Sequence, residues 1–208
     1  SGKTTFLQIL SGLDRPTGGT VKASGEELTG MKEKDLAALR LRRLGFVFQN
    51  PHFLRTLCLL DNIALPGFLA GDEPREEIVA RARGLMASMG ISELESSDVA
   101  EVSGGQLQRA SICRALINDP EIVIGDEPTG ALNSASAAQV LDIMGEIRAR
   151  GTTVVLVTHD PTVAVRADRA LVLADGKITD DVALGRYSPD AAAERTARVT
   201  SLLASRGV

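Results

Sequence analysis

Ile122-Val123-Ile124-Gly125-Asp126-Glu127 is an apolar run that stops abruptly on two carboxylates. Such short, continuous β-branched runs suit strands buried on both faces, as in a parallel sheet with helices on either side. A strand of this kind delivers its last residues to the carboxyl edge of the sheet, where α/β folds bind their ligands. Working outward, the pattern alternates. A helix over 106–117 precedes the run; a helix over 135–148, a strand over 153–157, a short helix near Val163 and a strand over 170–173 follow it. That alternation predicts an α/β fold built on a mostly parallel sheet.

Nearer the start, Phe6-Leu7-Gln8-Ile9-Leu10 runs into Gly12 and Asp14-Arg15-Pro16-Thr17-Gly18-Gly19, a short helix followed by a turn. Residues 20–23 and 44–48 have strand composition, and 33–43 has helical spacing between them. From 51 to 101 the chain reads as helical, clearest over 74–89, where Ile78, Ala82, Leu85, Met86 and Met89 share one face and Pro74 suits a first turn. We read 51–101 as an inserted helical subdomain. A last helix over 191–205 presents Val199, Leu202 and Leu203 as a docking edge. There is neither an internal repeat nor a low-complexity linker.

Bulk properties exclude several classes. At 208 residues the chain can bury a core of its own, and 44% hydrophobic against 24% charged residues is globular composition. A net charge of −4 with no basic block argues against a nucleic-acid partner. Cys58 and Cys113 have neither the spacing nor the companions of a zinc site or disulfide framework and are expected to be small buried hydrophobes. No stretch reaches the roughly 18 consecutive apolar residues of a membrane span, and no signal peptide opens the chain, so the expected compartment is cytosolic.

Three local constellations carry chemistry. Ser1-Gly2-Lys3-Thr4 matches the end of the phosphate-binding loop G-x-x-x-x-G-K-S/T, whose backbone N–H groups and helix N-terminus wrap a polyphosphate. In that reading Lys3 reaches the β and γ phosphates, Thr4 binds Mg²⁺ and Thr5 touches the α phosphate; a bare Gly-Lys-Thr triplet also arises by chance. The first glycine of the loop and the strand ahead of it are expected upstream of Ser1. Asp126 suits a water-mediated Mg²⁺ ligand and Glu127 a group that polarises an attacking water, the alternative being a solvated acidic turn before Pro128. Ser103-Gly104-Gly105-Gln106 leads into a helix, and its small residues leave N–H groups open to an anion, although a plain helix cap needs Ser103 alone.

Taken together, the chain resembles the nucleotide-binding subunit of ABC transporters. The likeness runs from Ser1 to about Asp175: Gly2-Lys3-Thr4 as the phosphate-loop remnant, Gln49 as the Q-loop, Ser103-Gly104-Gly105-Gln106 as the signature, Asp126 and Glu127 as Walker B and catalytic glutamate, and His159 as the switch histidine. Three strings, Gly12 to Thr17, Gly45 to Asn50 and Asp126 to Gly130, are similar to the branch of lipoprotein-releasing and macrolide-exporting ATPases. The resemblance implies a P-loop NTPase fold with a RecA-like core over 1–50 and 102–187, the helical subdomain over 51–101 and a C-terminal helix over 188–208.

It also implies a function: ATP and Mg²⁺ bound between two such domains stacked head to tail, as a homodimer or a paired ATPase subunit, with Ser1 to Thr5 on one side and the signature of the partner on the other. Gln49 would touch Mg²⁺ or the attacking water, and His159 the γ phosphate. Read alone, the first is an ordinary loop amide and the second a surface histidine. The implied partner is an integral-membrane permease, with the ATPase peripheral on the cytoplasmic face of the membrane. The loop 51–60, with Arg55 and Leu57, is the expected permease contact, the alternative being packing within the subdomain. The likeness departs at Ala131-Leu132-Asn133, where many relatives carry aspartate in place of Asn133, a change that either alters communication between the two sites or is a tolerated variant. His52 reads as an ordinary loop residue. Two other functions stay open: a non-transport ABC ATPase, disfavoured because only 54 positions separate Gln49 from Ser103 and hold no cysteine pair or heptads, and a non-catalytic nucleotide sensor, disfavoured by retention of Asp126 and Glu127.

Overall fold

The computed structural model describes residues 2–205. The chain forms two units, one of residues 8–156 and one of residues 2–7 with 157–205.

Helix α1 (Lys3–Leu10), whose residues 3–7 fall in the smaller unit and 8–10 in the larger, ends at Gly12, whose φ of +68° needs glycine, and the amides of Gly12 and Leu13 close back on the carbonyls of Ile9 and Gln8. A hairpin of β1 (Lys22–Ala23) and β2 (Glu26–Glu27) turns on Ser24-Gly25, both at positive φ. Helix α2 (Glu33–Arg43) has Glu33 and Asp35 in its first turn and Arg40, Arg42 and Arg43 in its last, which suits the helix dipole. It passes directly into β3 (Leu44–Phe48).

Strand β3 pairs in parallel with β4 (Ile122–Asp126), in a register that sets Phe48 opposite Asp126. Strand β5 (Thr153–Val157) lies on the other side of β4, giving the order β3-β4-β5. The predicted burial holds for β4, but β5 is half-buried along most of its length. Helix α6 (Ser134–Ala149) connects β4 to β5.

The helical region consists of α3 (Leu59–Ala70), α4 (Arg75–Ser88) and α5 (Gly104–Leu116), with one-turn helices at Ser92–Leu94 and Val99–Glu101. Pro74 is the residue before α4 and not its first member. Two apolar clusters share α5. Ala110, Cys113 and Ile117 pack with Leu59, Ile63, Ile78 and Met86, while Ile112 and Ala115 pack with Val47, Val123, Val140 and Met144. Each such fully buried large side chain contributes about 1.5–3 kcal/mol. Close approach is enforced at Gly45 of β3, where a Cβ would fall 2.4 Å from the carbonyl oxygen of Ala115. Cys113 is buried as expected, whereas Cys58 is only half-buried.

The smaller unit contains α7 (Pro161–Ala164), the antiparallel pair β6 (Arg169–Ala174) and β7 (Lys177–Ala183), and α8 (Ala192–Ser205). Strand β7 lies outside the elements expected above. Its signal is Asp175-Gly176, with φ of +47° and +72°, a two-residue loop of the kind that closes hairpins. Helix α8 is held by Arg195, 6% exposed, whose guanidinium donates to the carbonyls of Val165, Ala167, Leu184 and Gly185.

Candidate functional site

At the carboxyl edge of the β3-β4 pair, the register that sets Phe48 beside Asp126 brings Gln49 and Glu127, the next residue on each strand, to the same edge. Glu127 has φ of +48°, a left-handed conformation that costs a non-glycine residue of order 1 kcal/mol or more. The chain then turns through Pro128 to Gly130, whose amide donates to the Glu127 carbonyl at 3.0 Å. Gln49 lies against that turn: a Cβ on Gly130 would sit 2.9 Å from its Nε2. Gln49 and the Asp126-Glu127 pair, far apart in sequence, therefore converge.

The Ser103–Gln106 segment opens α5. Gln106 Oε1 accepts from the Ser103 amide at 3.1 Å and from its hydroxyl at 2.7 Å, so the side chains brace the first turn while Gly104 remains exposed. Gly105 faces α6, and a Cβ there would lie 2.8 Å from Ser136 Oγ. Asn133 Oδ1 accepts from the Ser136 amide at 2.9 Å, so Asn133 is the N-cap of α6, a role that asparagine and aspartate fill equally well.

Of the phosphate-loop residues, Ser1 lies outside the described residues. Gly2 has φ of +80° and its carbonyl accepts from the Phe6 amide at 2.9 Å. Lys3 begins α1 and is half-buried, with Thr4 and Thr5 exposed beside it. These residues, with His159, belong to the smaller unit; Gln49, Asp126, Glu127 and Ser103 to Gln106 belong to the larger. His159 is exposed between β5 and α7, and Asp160 Oδ1 caps α7 by accepting from the Thr162 amide at 2.8 Å.

The loop after Gln49 is firmly built. Asn62, 1% exposed on α3, accepts from the Leu54 amide at 2.8 Å and donates to the carbonyls of Leu54, Leu57 and Cys58. The apolar residue this loop exposes is Leu54, at 50%; Leu57 is half-buried and Arg55 is exposed. His52 is an exposed residue of this loop. Its carbonyl accepts from Arg114 at 2.8 Å and its ring leans on Phe48 at 5.9 Å. Gln108, also unassigned from sequence, is 1% exposed and donates through Nε2 to the Phe48 carbonyl at 3.1 Å. Its signal was a glutamine on the otherwise small or apolar stripe 108, 111, 112, 115 of α5.

Among the described residues no three His, Cys, Asp or Glu side chains form a metal cluster. Gln49 and Asp126, together at the sheet edge, supply hard oxygen donors few in number, which fits Mg²⁺ held by one or two protein groups together with substrate phosphates.

A parallel α/β sheet that presents Gln49, Asp126 and Glu127 at one edge beside a helical region defines an ATPase domain of the P-loop class. The chain belongs to the ABC transporter family, whose profile matches residues 1–130. It is 43% identical over 206 residues to the macrolide export ATP-binding/permease protein MacB of Rhodopseudomonas palustris (strain BisB18), covering 99% of this chain and 31% of that protein. With MacB of Salmonella typhi it shares 43% identity over 178 residues, 86% of this chain and 27% of the relative. The chain thus spans less than a third of these curated relatives. A dimeric structure of a bacterial ABC transporter cassette matches with a TM-score of 0.81 at 33% identity, covering 89% of this chain and 82% of that one. A dimeric post-hydrolysis state of an ATP-binding cassette bound to ADP and Pi matches at 0.79 and 30% identity over the same shares. No helix among the described residues is long and apolar enough to cross a membrane.

Proposed function

We propose that this chain is the ATP-hydrolysing cassette of a membrane exporter, working as a head-to-tail pair at the cytoplasmic face of the membrane. The observation that carries this reading is the convergence of Gln49, Asp126 and Glu127 at one sheet edge, with Glu127 in a left-handed backbone conformation. The dimeric cassettes it resembles, one of them with ADP and Pi, support the pairing. The permease fused to the ATP-binding part in the names of its relatives supports the membrane partner.

In this reading Lys3 and the amides at the start of α1 bind the β and γ phosphates from one protomer. The exposed first turn of α5, Ser103 to Gln106, meets the γ phosphate from the other. Thr4, Gln49 and Asp126 would hold Mg²⁺, which would supply charge neutralisation for the phosphates. The Glu127 carboxylate accepts a proton from water, the water oxygen forms a bond to the γ phosphorus, and the bond to the bridging oxygen breaks to release ADP and phosphate. Gln49 orients the water and His159 steadies the γ phosphate, so their contribution is geometric and electrostatic. Loop 51–60, anchored by Asn62 and exposing Leu54 and Arg55, would carry the resulting motion to the permease.

The test is ATP turnover and trapped-nucleotide dimerisation in the intact protein. Glu127→Gln is expected to retain ATP, accumulate as the closed pair and lose roughly 10²-fold or more in turnover. Wild-type turnover in that variant overturns the reading.

A further inference from the structure

We propose that Gln108 is a positioning residue for Gln49, tying the reactivity of the Q-loop amide to the placement of the helix that begins with the signature. The inference rests on the reading of Gln49 given above. Gln108 lies on α5, buried to 1% exposure, and its Nε2 donates to the carbonyl of Phe48, the residue immediately before Gln49. The Phe48 carbonyl and the Gln49 amide belong to one rigid peptide plane. Holding that oxygen therefore sets the plane from which the Gln49 backbone departs.

The far side of Gln49 is held from the same helix. Arg114 donates to the His52 carbonyl at 2.8 Å, and its guanidinium sits 4.4 Å from the centre of the Phe53 ring. Side chains of one helix thus take the carbonyls at 48 and 52, and Gln49 lies between them. Helix α5 runs unbroken from Gly104 to Leu116, and Gly45 fits β3 tightly against it at Ala115. A shift of its first turn is therefore carried to Phe48.

The chemistry of the stripe supports a dedicated role. Ile112 and Ala115, on the same face, serve the apolar cluster around Val47. An amide among such neighbours loses hydration and gains only what its hydrogen bond returns. Packing alone is satisfied by methionine or leucine, so what Gln108 adds is the bond to Phe48.

The experiment compares ATPase kinetics of the intact transporter carrying Gln108→Met, which keeps the volume and removes the donor, in wild-type and Gln49→Ala backgrounds. In the wild-type background turnover at saturating ATP is expected to fall roughly tenfold, as for one lost positioning bond, with a severalfold higher half-saturating Mg²⁺ concentration. ATP affinity measured without Mg²⁺ stays unchanged. In the Gln49→Ala background the same substitution has little further effect, because the residue it positions is gone. Arg114→Lys, which keeps the cation and loses the fork, follows the same pattern and serves where Gln108→Met unfolds the protein. Unaltered turnover and Mg²⁺ dependence in both variants, or an undiminished loss on top of Gln49→Ala, overturns the proposal. Glu127→Gln separates the two levels: if it is inactive while Gln108→Met is unaffected, the positioning role alone fails, and if it is fully active, the reading of the whole site fails.

Discussion

The side-chain amide of Gln49 rests on Gly130, so closely that a methyl group at 130 would stand 2.9 Å from Nε2. Residue 49 leaves one strand and residue 130 closes the turn after its neighbour, so the contact joins the Q-loop to the segment that carries Glu127. Gly130 has an ordinary backbone conformation and its immediate obstacle is the mobile end of a side chain, which makes the contact open to direct interrogation.

Gly130→Ala is expected to displace the Gln49 amide and leave the fold intact. Steady-state ATPase assays would show turnover reduced roughly three- to thirtyfold, the scale of a small misplacement at a reacting centre. ATP binding and the thermal midpoint stay near those of the parent.

Asn133 is expected to be replaceable by aspartate and not by alanine. Asn133→Asp retains the acceptor for the Ser136 amide, whereas Asn133→Ala removes it and costs about 1 kcal/mol. Chemical denaturation of the three proteins measures the difference. A large loss of stability in Asn133→Asp contradicts the cap assignment.

Arg195 should be required for docking of the C-terminal helix. Arg195→Met leaves the carbonyls of Val165, Ala167, Leu184 and Gly185 without their shared donor, at about 1–3 kcal/mol for each that stays dry. Limited proteolysis is expected to cut within 192–205 at protease levels that spare the parent.

Burial pushes the Cys113 thiol up to about 12 from an ordinary 9.0. Below pH 9 the thiol is protonated in folded and unfolded chains alike, and its titration has no effect on stability. Between about 9 and 12 the unfolded chain releases this proton and the folded one keeps it, so stability falls as pH rises, by up to about 1.4 kcal/mol per pH unit. Denaturation midpoints of the parent and Cys113→Ala across that range should diverge in slope. At pH 8 a thiol reagent should label Cys113 only after unfolding.

Much of the architecture was legible because its signals are local. Ile122 to Ile124 between helical patterns marks a buried parallel strand, and the Ser103 to Gln106 string marks a helix start from residues within one turn of each other. Strand β7 was not read: its signal is confined to the Asp175-Gly176 turn, and Lys177, Thr179, Asp180 and Asp181 give it a polar composition that masks a strand. The helix starts at Gly104 and Ser134 lie one or two residues earlier than periodicity indicates, because caps at Ser103 and Asn133 pull the first turn back.

Chain-neighbour patterns, then, determined the order of strands and helices, the two carboxylates after β4 and the chemical character of each candidate site residue, since periodicity and strand ends are properties of a few adjacent residues. What tertiary structure alone decided is which distant groups meet: Gln108 on the Phe48 carbonyl across sixty positions, Arg114 on His52, and Gln49 on Gly130. A glutamine on a helix stripe is compatible with solvent or core until packing against β3 removes water from it. Only then does the cost of a dry amide select the carbonyl it must hold.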